Sequence, residues 1–367
     1  MTAPSVAATG AGGFLGWHTR VRARAQGAGE VTSIQLGPHA DADAVADAVC
    51  RADRLLHLAG VNRGTPHEIR ESNTALARQL AAALRRADTP PATIVYANST
   101  QASNGTNYGT SKMEAAEVLA TTADEIGVEF VDLCLPNLFG EHGRPFYNSV
   151  VATFAHQLAH GGQPRIEVDR ELPLLHVQDA AELLLTAKPG HSADANVDRR
   201  TITSLRSTLS HFAALYRVGE IPELLNSFDI ALFNTYRSFT FPDMWPIPLI
   251  RRADQRGSFV ETVRAHGSPG QFSYSTTRPG IVRGQHFHLA KVERFAVISG
   301  QAEIALRRVL TDETVRFQVS GAEPVIVDMP TMWVHNLTNT GDDSLVTLFW
   351  TNELFDPASP DTYPEDV

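Results

Sequence analysis

A glycine-rich turn at residues 9–16, TGAGGFLG, constrains the fold of this 367-residue chain more than any other segment. The turn follows a short apolar run and precedes a helical pattern, so it is predicted to join a first strand to a first helix. Glycines at such a junction let backbone amides and the helix N-terminus approach a pyrophosphate. The sequence therefore predicts a dinucleotide site whose cofactor contacts are Gly10, Gly13, Phe14, Leu15 and Gly16.

The bulk composition limits the classes of protein to which the chain can belong. Its length favours two domains, and its 43% hydrophobic and 20% charged residues are typical of a globular protein. A net charge of −10 argues against nucleic acid and anionic membrane surfaces as partners. No apolar stretch reaches the about 20 residues of a membrane-spanning helix. The two cysteines suit a reducing compartment, and no basic-then-apolar leader precedes the glycine turn, so a cytoplasmic location is expected.

The first two thirds of the chain alternate strand and helix patterns. Strands are predicted at 55–59, 93–97 and 129–134, and helices at 73–87 and 111–126. Such alternation indicates a doubly wound, Rossmann-type parallel sheet. We assign this α/β domain to residues 1–243.

The pattern of apolar residues changes after a proline- and aromatic-rich junction at residues 239–248. Short alternating apolar runs follow, separated by turn residues, at 301–306, 315–319, 325–327 and 345–350. This pattern predicts an antiparallel, all-β jelly roll for residues 244–367.

A tyrosine and a lysine stand four residues apart in the predicted helix 111–126 and its leading turn. On a helix this spacing puts Tyr108 and Lys112 on one face. The lysine charge is then expected to lower the pKa of the phenol, which would let it donate a proton near neutral pH. Ser99 and Thr100 end the preceding strand, where a hydroxyl can bind the substrate oxygen. The competing interpretation is a surface pair without a function.

Over roughly residues 1–240 the chain resembles the extended short-chain dehydrogenase/reductase family. The matching segments are the glycine turn, HLAG at 57–60, Asn73, the Tyr108/Lys112 pair, LPNLFG at 135–140, and His176 with Asp179. The resemblance implies that Tyr108 is the acid, that Lys112 orients the nicotinamide ribose, and that Thr100 rather than Ser99 completes the triad. It adds Leu58, Ala59 and Gly60, beside Tyr108 and Lys112, to the cofactor contacts. It also implies a nucleotide-sugar substrate held by Asn137 and Arg144.

The end of the predicted second strand affects the choice of cofactor. It reads SIQLG at residues 33–37, with no carboxylate to accept the hydroxyls of the adenosine ribose. This weakens the case for NAD and favours NADP(H), although no arginine stands there either.

A second cluster of chemically active residues lies far downstream. His286 and His288 alternate on a predicted strand, so both point to one face, and Glu293 follows. This spacing resembles the first motif of the cupin superfamily, and PTMWVH at 330–335 resembles the second and ends in His335. In that motif Met332 replaces a glycine whose backbone turn a methionine is expected not to permit. The four residues would bind zinc or another divalent metal; the alternative is a solvated strand face.

Residues 254–261 and 280–286 resemble the sugar 3,5-epimerases of deoxysugar pathways, which are metal-free cupins. The resemblance implies that His286 is a catalytic base and that Arg256 and Arg283 bind substrate. A histidine cannot freely accept a proton while it ligates a metal, so the two roles compete. His288 and Glu293 depart from the metal-free epimerase pattern and supply extra ligands, which favours a bound metal. The general acid stays open between Tyr274 and Lys291.

The order of the two domains resembles a family of bifunctional capsular polysaccharide synthesis enzymes. Specific matching segments are 57–63, 136–140, 147–154 and 355–363. The resemblance implies that the cupin epimerises carbon 3 of a UDP-2-acetamido-2,6-dideoxy-hexos-4-ulose, a UDP-activated 4-keto-6-deoxy amino sugar. The reductase would then reduce the 4-ketone with NADPH, towards UDP-N-acetyl-L-fucosamine. A homodimer is expected.

Two other functions remain open at this point. One is a single-activity 4-ketosugar reductase whose cupin is a structural, substrate-binding or dimerisation module. The other is a non-catalytic NADP-binding sensor, against which the intact Thr100, Tyr108 and Lys112 count strongly.

Overall fold

The computed structural model describes residues 4–267 and 269–367, and the chain forms two compact units. The first unit runs to Leu138 and takes in Glu171–Arg200, whereas the second consists of Phe139–Arg170 and Thr201–Val367. Residues 201–243, which the sequence pattern groups with the α/β half, therefore lie in the same compact unit as the C-terminal strands. As a division between two activities, the boundary at 243/244 stays a prediction.

A five-stranded parallel sheet forms the centre of the first unit. Its strands are β1 (Val6–Thr9), β2 (Thr32–Ile34), β3 (Arg54–His57), β4 (Thr93–Ser99) and β5 (Glu129–Leu135). They lie in the order β2-β1-β3-β4-β5, and every pair is parallel. The predicted α/β sheet is therefore confirmed. The strand order reverses between β1 and β3, the point at which sheets of this kind bind ligands.

Alternate residues of these strands enter two separate hydrophobic cores. Ala8 and Leu56 belong to the core on one face of the sheet, whereas Ala7 and Leu55 belong to the core on the other. Because both faces are covered, the central strands β1, β3 and β4 are buried along almost their whole length. The edge strand β5 instead alternates between buried and exposed residues.

Eight α-helices lie among the described residues: α1 (Phe14–Ala25), α2 (Ala42–Cys50), α3 (Pro66–Arg86), α4 (Asn107–Ile126), α5 (Val150–Ala159), α6 (Val177–Thr186), α7 (Ile202–Tyr216) and α8 (Ser227–Arg237). α3 starts earlier than predicted because Thr65 and Glu68 form a capping box around Pro66. α4 also starts early, since the Thr106 hydroxyl caps the Gly109 amide. In the described part of the chain, none of these helices combines the length and apolarity needed to cross a bilayer.

Three short strands surround the points where the chain passes from one unit to the other. They are β6 (Asn137–Phe139), β7 (Glu171–His176) and β8 (Asp198–Thr201), in the order β6-β7-β8.

Two five-stranded antiparallel sheets and a hairpin make up the β part of the second unit. The strands are β9 (Ile247–Pro248), β10 (Arg251–Asp254), β11 (Gly257–Val260), β12 (Gln271–Thr277), β13 (Val282–Phe287), β14 (Glu293–Ser299), β15 (Gln301–Arg308), β16 (Thr314–Ser320), β17 (Val325–Met329), β18 (Trp333–Asn339), β19 (Leu345–Thr351) and β20 (Tyr363–Pro364). The sheet orders are β12-β19-β14-β17-β9 and β16-β15-β18-β13-β20, and β10 pairs with β11. A core that includes Phe295, Ile304 and Trp333 draws on both sheets. The predicted all-β, cupin-like fold is confirmed.

Candidate active sites

The glycine turn lies at the C-terminal end of β1, where the strand order reverses. Gly10 has a left-handed backbone (φ +68°), and a Cβ there would come within 2.7 Å of the Ala59 amide nitrogen. A Cβ at Gly16 would overlap the Gly10 carbonyl oxygen. Both positions therefore require glycine so that α1 can begin close to the ends of β1 and β3.

The hydroxyl of Thr9 joins the ends of these two strands. Its oxygen accepts hydrogen bonds from the Leu58 and Ala59 amides at 3.1 and 3.2 Å. Its proton is therefore available to the Nδ1 atom of His57, 2.8 Å away. Burial, assisted by the charge of Lys112, lowers the pKa of His57 to about 3, so the ring is neutral and accepts this bond. The sequence shows Thr9 and His57 only as motif members, and their pairing depends on β1 lying beside β3.

The N-terminus of α1 has the features that a pyrophosphate needs. Gly13 is the N-cap and contributes no side-chain cap, and no acidic residue stands in the first turn. A Cβ at Gly12 would meet nothing within 4 Å, so open space lies beside this backbone. Phe14 and Leu15 form the half-buried start of the helix. These residues fit a dinucleotide held by main-chain amides and the helix dipole.

Tyr108 lies in the first turn of α4, close to the end of β4. A Cβ at Gly109 would overlap the Gln101 carbonyl oxygen, so this glycine allows the helix to start against the segment that follows β4. The Tyr108 hydroxyl is hydrogen-bonded to the side chain of Ser99. Thr100, which the sequence argument prefers, is exposed just beyond the strand. Of the two hydroxyls, that of Ser99 is the one that interacts with the Tyr108 phenol, and the role of Thr100 in the triad stays a prediction.

The ammonium group of Lys112 is buried one turn further along α4. Its Nζ atom donates to the Ala97 carbonyl oxygen at 2.6 Å and lies 4.1 Å from the centre of the Tyr96 ring. Burial lowers the pKa of Lys112 to about 7, against the opposing influence of Asp132 and Cys134. The lysine is therefore held rigidly, but near neutral pH its charge is only partly retained.

The pKa of Tyr108 differs from the expectation based on sequence. Burial raises it above the usual value for a phenol, and the hydrogen bond from Ser99 offsets only part of this rise. Tyr108 is consequently protonated at neutral pH, the state that a proton donor requires.

The two predicted sugar contacts of the reductase are placed in different units. In the first unit the Asn137 amide donates to the Pro173 carbonyl oxygen at 3.0 Å. In the second, the Arg144 guanidinium lies 4.8 Å from the centre of the Tyr147 ring. The backbone around Arg144 is left-handed at Phe146 and Asn148, a strained conformation that is common at binding loops. Their roles in substrate binding stay predictions.

The four predicted metal ligands converge between the two antiparallel sheets. His286 on β13 is directly opposite His335 on β18, and a bulge at Gln285 (φ +62°) precedes it. Glu293 begins β14 on the other sheet. One ligand atom from each of the four residues, His288 included, lies within 4.8 Å of the others.

The hydrogen bonds of the histidine rings indicate that a cation fits among these groups. The Nδ1 atoms of His288 and His335 face the carbonyl oxygens of Asp361 and Trp333 at 2.5 and 3.3 Å, and a carbonyl can only accept. The Nε2 atoms therefore carry lone pairs when the rings are neutral, yet both face Glu293 Oε2, at 3.2 and 3.1 Å. Lone pairs and a carboxylate repel unless a proton or metal ion lies between them.

The distances from the Nε2 atoms of His288 and His335 to Glu293 Oε2, 3.2 and 3.1 Å, suit zinc. Tetrahedral zinc with bonds of about 2.0–2.1 Å separates its ligand atoms by about 3.3 Å.

Burial and mutual charge control the titration of this cluster. Burial lowers the pKa of His286 to about 3, and the neighbouring His335 and His288 contribute in the same direction. Burial alone would raise the pKa of Glu293, but hydrogen bonds and charges from His288 and His335 outweigh it and hold the pKa below its usual range. A neutral imidazole and an ionised carboxylate are the forms that bind metals.

Met332 adopts the turn that its side chain was expected to prevent. Its backbone is left-handed (φ +60°), its side chain is fully buried, and its amide donates to the His288 carbonyl oxygen at 2.8 Å. The expectation was therefore wrong. Packing and this hydrogen bond hold a conformation that costs a non-glycine residue about 1–2 kcal/mol, and His335 stays aimed at the cluster.

A cavity of about 340 Å³ opens onto His286, His288 and Glu293. Arg283 and Lys291 lie in its wall. Arg256 instead lies in the exposed turn of the β10–β11 hairpin, paired with Asp254, and Tyr274 on β12 is 74% exposed. Within one chain, the described residues thus bring Arg283 but not Arg256 to the cavity.

Two family models match this chain. One, described as the NAD dependent epimerase/dehydratase family, matches residues 6–196. The other, described as the polysaccharide biosynthesis C-terminal domain, matches residues 252–363.

Individual relatives share this arrangement. The chain is 32% identical over 366 residues to the UDP-2-acetamido-2,6-beta-L-arabino-hexul-4-ose reductase of Pseudomonas aeruginosa, covering 98% of this chain and 97% of that one. It also resembles the crystal structure of the capsular polysaccharide assembling protein CapF from Staphylococcus aureus, with a TM-score of 0.61 and 31% identity over 99% of this chain and 100% of that one. The spore coat polysaccharide biosynthesis protein SpsL of Bacillus subtilis is 25% identical over 122 residues, 31% of this chain and 81% of that protein. The resemblance to capsular polysaccharide enzymes is confirmed.

Proposed function

Because this chain belongs to the NAD-dependent epimerase/dehydratase family, we propose that it is a nucleotide-sugar 4-ketoreductase with a second, epimerase activity in its cupin-like sheets. The observation that carries the reductase is the convergence of Tyr108, Ser99 and Lys112 next to a glycine turn at the reversal of strand order. The named activity of the Pseudomonas aeruginosa relative supports a UDP-2-acetamido-2,6-dideoxy-hexos-4-ulose as substrate.

In the reductase, the chain itself supplies a proton and the positioning of both reactants. NADPH, when bound, would supply the hydride for carbon 4 of the sugar. Tyr108, protonated at neutral pH, donates its proton to the carbonyl oxygen, while Ser99 holds the phenol in place. The glycine turn and the 58–60 segment would hold the cofactor, and Lys112 would orient its ribose.

The cupin-like cavity would perform the first of the two reactions. A ketone at carbon 4 acidifies carbon 3, so a proton can leave there and return on the other face of the ring. Once the ketone is reduced, that acidity is lost, and epimerisation must therefore precede reduction. A divalent metal would stabilise negative charge on the ketone oxygen. Arg283, which lies in the cavity wall, would hold the anionic nucleotide.

The purified protein should contain about one divalent metal ion per chain, with zinc favoured. The reason is that the Nε2 atoms of His288 and His335, each with a lone pair, lie 3.2 and 3.1 Å from the carboxylate oxygen Oε2 of Glu293. Elemental analysis of protein expressed in zinc-supplemented medium measures the content. Matched His335→Ala protein should contain much less, and a metal-free wild-type protein would favour the epimerase mechanism in which His286 is a base.

A direct assay distinguishes the proposed pair of activities from a reductase alone. Pure protein is incubated with the UDP-4-ketosugar, with and without NADPH, and the sugars are followed by NMR. We expect a change at carbon 3 without NADPH and a 4-hydroxy product with it. No NADPH oxidation with either the original or the epimerised ketone would refute the reductase.

A single-activity reductase is the second candidate. The Pseudomonas aeruginosa relative, which matches this chain over nearly its whole length, is named only as a reductase. In that case the cupin-like sheets would bind substrate, support the fold or form a dimer, and the assay without NADPH would show no change at carbon 3.

Several finer features of the proposal rest on sequence. The absence of a carboxylate in SIQLG at 33–37 favours NADP(H) over NAD. The Gly37 amide of this segment is held by the Gln79 side chain at 2.7 Å. A homodimer and a cytoplasmic location remain part of the proposal.

A further inference from the structure

The C-terminal segment 360–363, within the specific sequence match at 355–363, lies against the loop that connects two of the proposed metal ligands. Tyr363 on β20 pairs with Phe287, the residue between His286 and His288. The loop itself, residues 289–292, leads from His288 to Glu293. A contact between these two segments can therefore act on the ligand set.

The carboxylate of Asp361 accepts three consecutive backbone N–H groups of this loop. Leu289 donates to Oδ1 at 3.0 Å, and Ala290 and Lys291 donate to Oδ2 at 2.9 and 2.8 Å. Successive amides that converge on one anion form a nest, and charge-assisted bonds of this type are among the stronger ones in proteins. The loop backbone is thereby fixed by a residue far along the chain, since Asp361 lies 70 positions after Lys291.

The main-chain carbonyl of Asp361 selects the tautomer of the proposed metal ligand His288. The Asp361 carbonyl oxygen accepts from His288 Nδ1 at 2.5 Å. With its proton on Nδ1, a neutral His288 presents the lone pair of Nε2 to the cluster. Hydrogen-bond partners of this type orient metal-binding histidines and select their tautomer.

A reciprocal contact holds the segment from the loop side. Lys291 Nζ donates to the Pro360 carbonyl oxygen at 2.6 Å and lies 3.4 Å from the Thr362 hydroxyl. Asp361 itself has a left-handed backbone (φ +40°), a conformation that few residues other than glycine, asparagine and aspartate adopt readily. The backbone is thus bent so that carbonyl and carboxylate both face the ligand loop.

We propose that Asp361 is a positioning residue for the metal site: its carboxylate fixes the 289–291 backbone and so holds its own carbonyl against His288 Nδ1. This inference rests on the metal site of the proposed function. It assigns a role to the 355–363 segment, which the reductase does not use.

Asp361→Gly tests the proposal because glycine accepts the left-handed backbone and removes only the carboxylate. Zinc alone is titrated into metal-free protein in competition with a chromogenic chelator. We expect affinity to fall about 10- to 100-fold, the usual effect of removing an outer partner of a metal ligand. Asp361→Asn, which keeps one acceptor oxygen, should lose less. Asp356→Asn makes the same charge change at an exposed site in the same segment and should bind zinc like the wild type.

The tautomer of His288 provides a readout that does not depend on zinc. Long-range 1H–15N spectra of the metal-free protein should show a single Nδ1-protonated form in the wild type and a mixture in Asp361→Gly. The His288 signals are identified by their loss in His288→Gln. If the variant binds zinc within about twofold of the wild type, the proposal is overturned while the metal site stands. If the wild type binds no zinc, the metal site fails, and an unchanged tautomer in Asp361→Gly overturns the positioning role as well.

Discussion

Replacing Tyr108 by phenylalanine should reduce the turnover number for NADPH oxidation with the 4-ketosugar by about 10²- to 10⁴-fold, the usual contribution of a general acid. Phenylalanine keeps the ring against its half-buried surroundings and removes only the hydroxyl that bonds to Ser99. Binding of NADPH should survive, because the glycine turn and the 58–60 segment are unaffected. Steady-state kinetics and a fluorescence titration of NADPH measure the two effects separately.

Ser99 and Thr100 provide the matched comparison for that experiment. Ser99→Ala removes the hydrogen bond to Tyr108 and should lower turnover about 3- to 10-fold, the equivalent of one hydrogen bond. Thr100→Val, at an exposed position one residue later, should have little effect. The reverse ranking would restore Thr100 as the third member of the triad, and an unchanged turnover number in Tyr108→Phe would remove the assignment of the acid altogether.

Replacing His286 by alanine should abolish the exchange of solvent deuterium into carbon 3 of the 4-ketosugar in the absence of NADPH. The expected result is the same whether His286 is a base or a metal ligand, since it contacts the cluster in both cases. The variant should still oxidise NADPH with an already epimerised ketone, because Tyr108 and Lys112 belong to the other compact unit. NMR of the sugar in deuterated buffer measures exchange, and absorbance at the NADPH band measures reduction.

Two controls make the exchange experiment decisive. His211→Ala changes an exposed histidine on α7 and should leave exchange as it is in the wild type. Tyr108→Phe should still exchange deuterium, because proton loss at carbon 3 does not need the reductase. A wild-type protein that never exchanges would identify the cupin-like sheets as a structural or binding module and leave the single-activity reductase as the better description.

Local sequence signals carried most of the fold. The start of α1 follows from glycines at 10 and 16, whose positions allow no Cβ. The start of α3 differs from the prediction at residue 73 because the helix is capped at Thr65, in a region with few apolar residues. The strands of the second unit are predictable from sequence because apolar residues alternate where a strand buries only one face.

The sequence by itself also determined three of the four candidate metal ligands, because the spacing of His286, His288 and Glu293 is a local property. The fourth, His335, followed from the resemblance of residues 330–335 to the second cupin motif. Only the tertiary structure brought the Ser99 side chain to the Tyr108 hydroxyl, since this contact depends on how α4 packs against β4. It also decided that Met332 can hold a left-handed turn, because packing and one amide bond to His288 outweigh an intrinsic preference. The contact of Asp361 with the ligand loop was beyond sequence reasoning for the same reason: the groups are about 70 residues apart, and only the pairing of β20 with β13 brings them together.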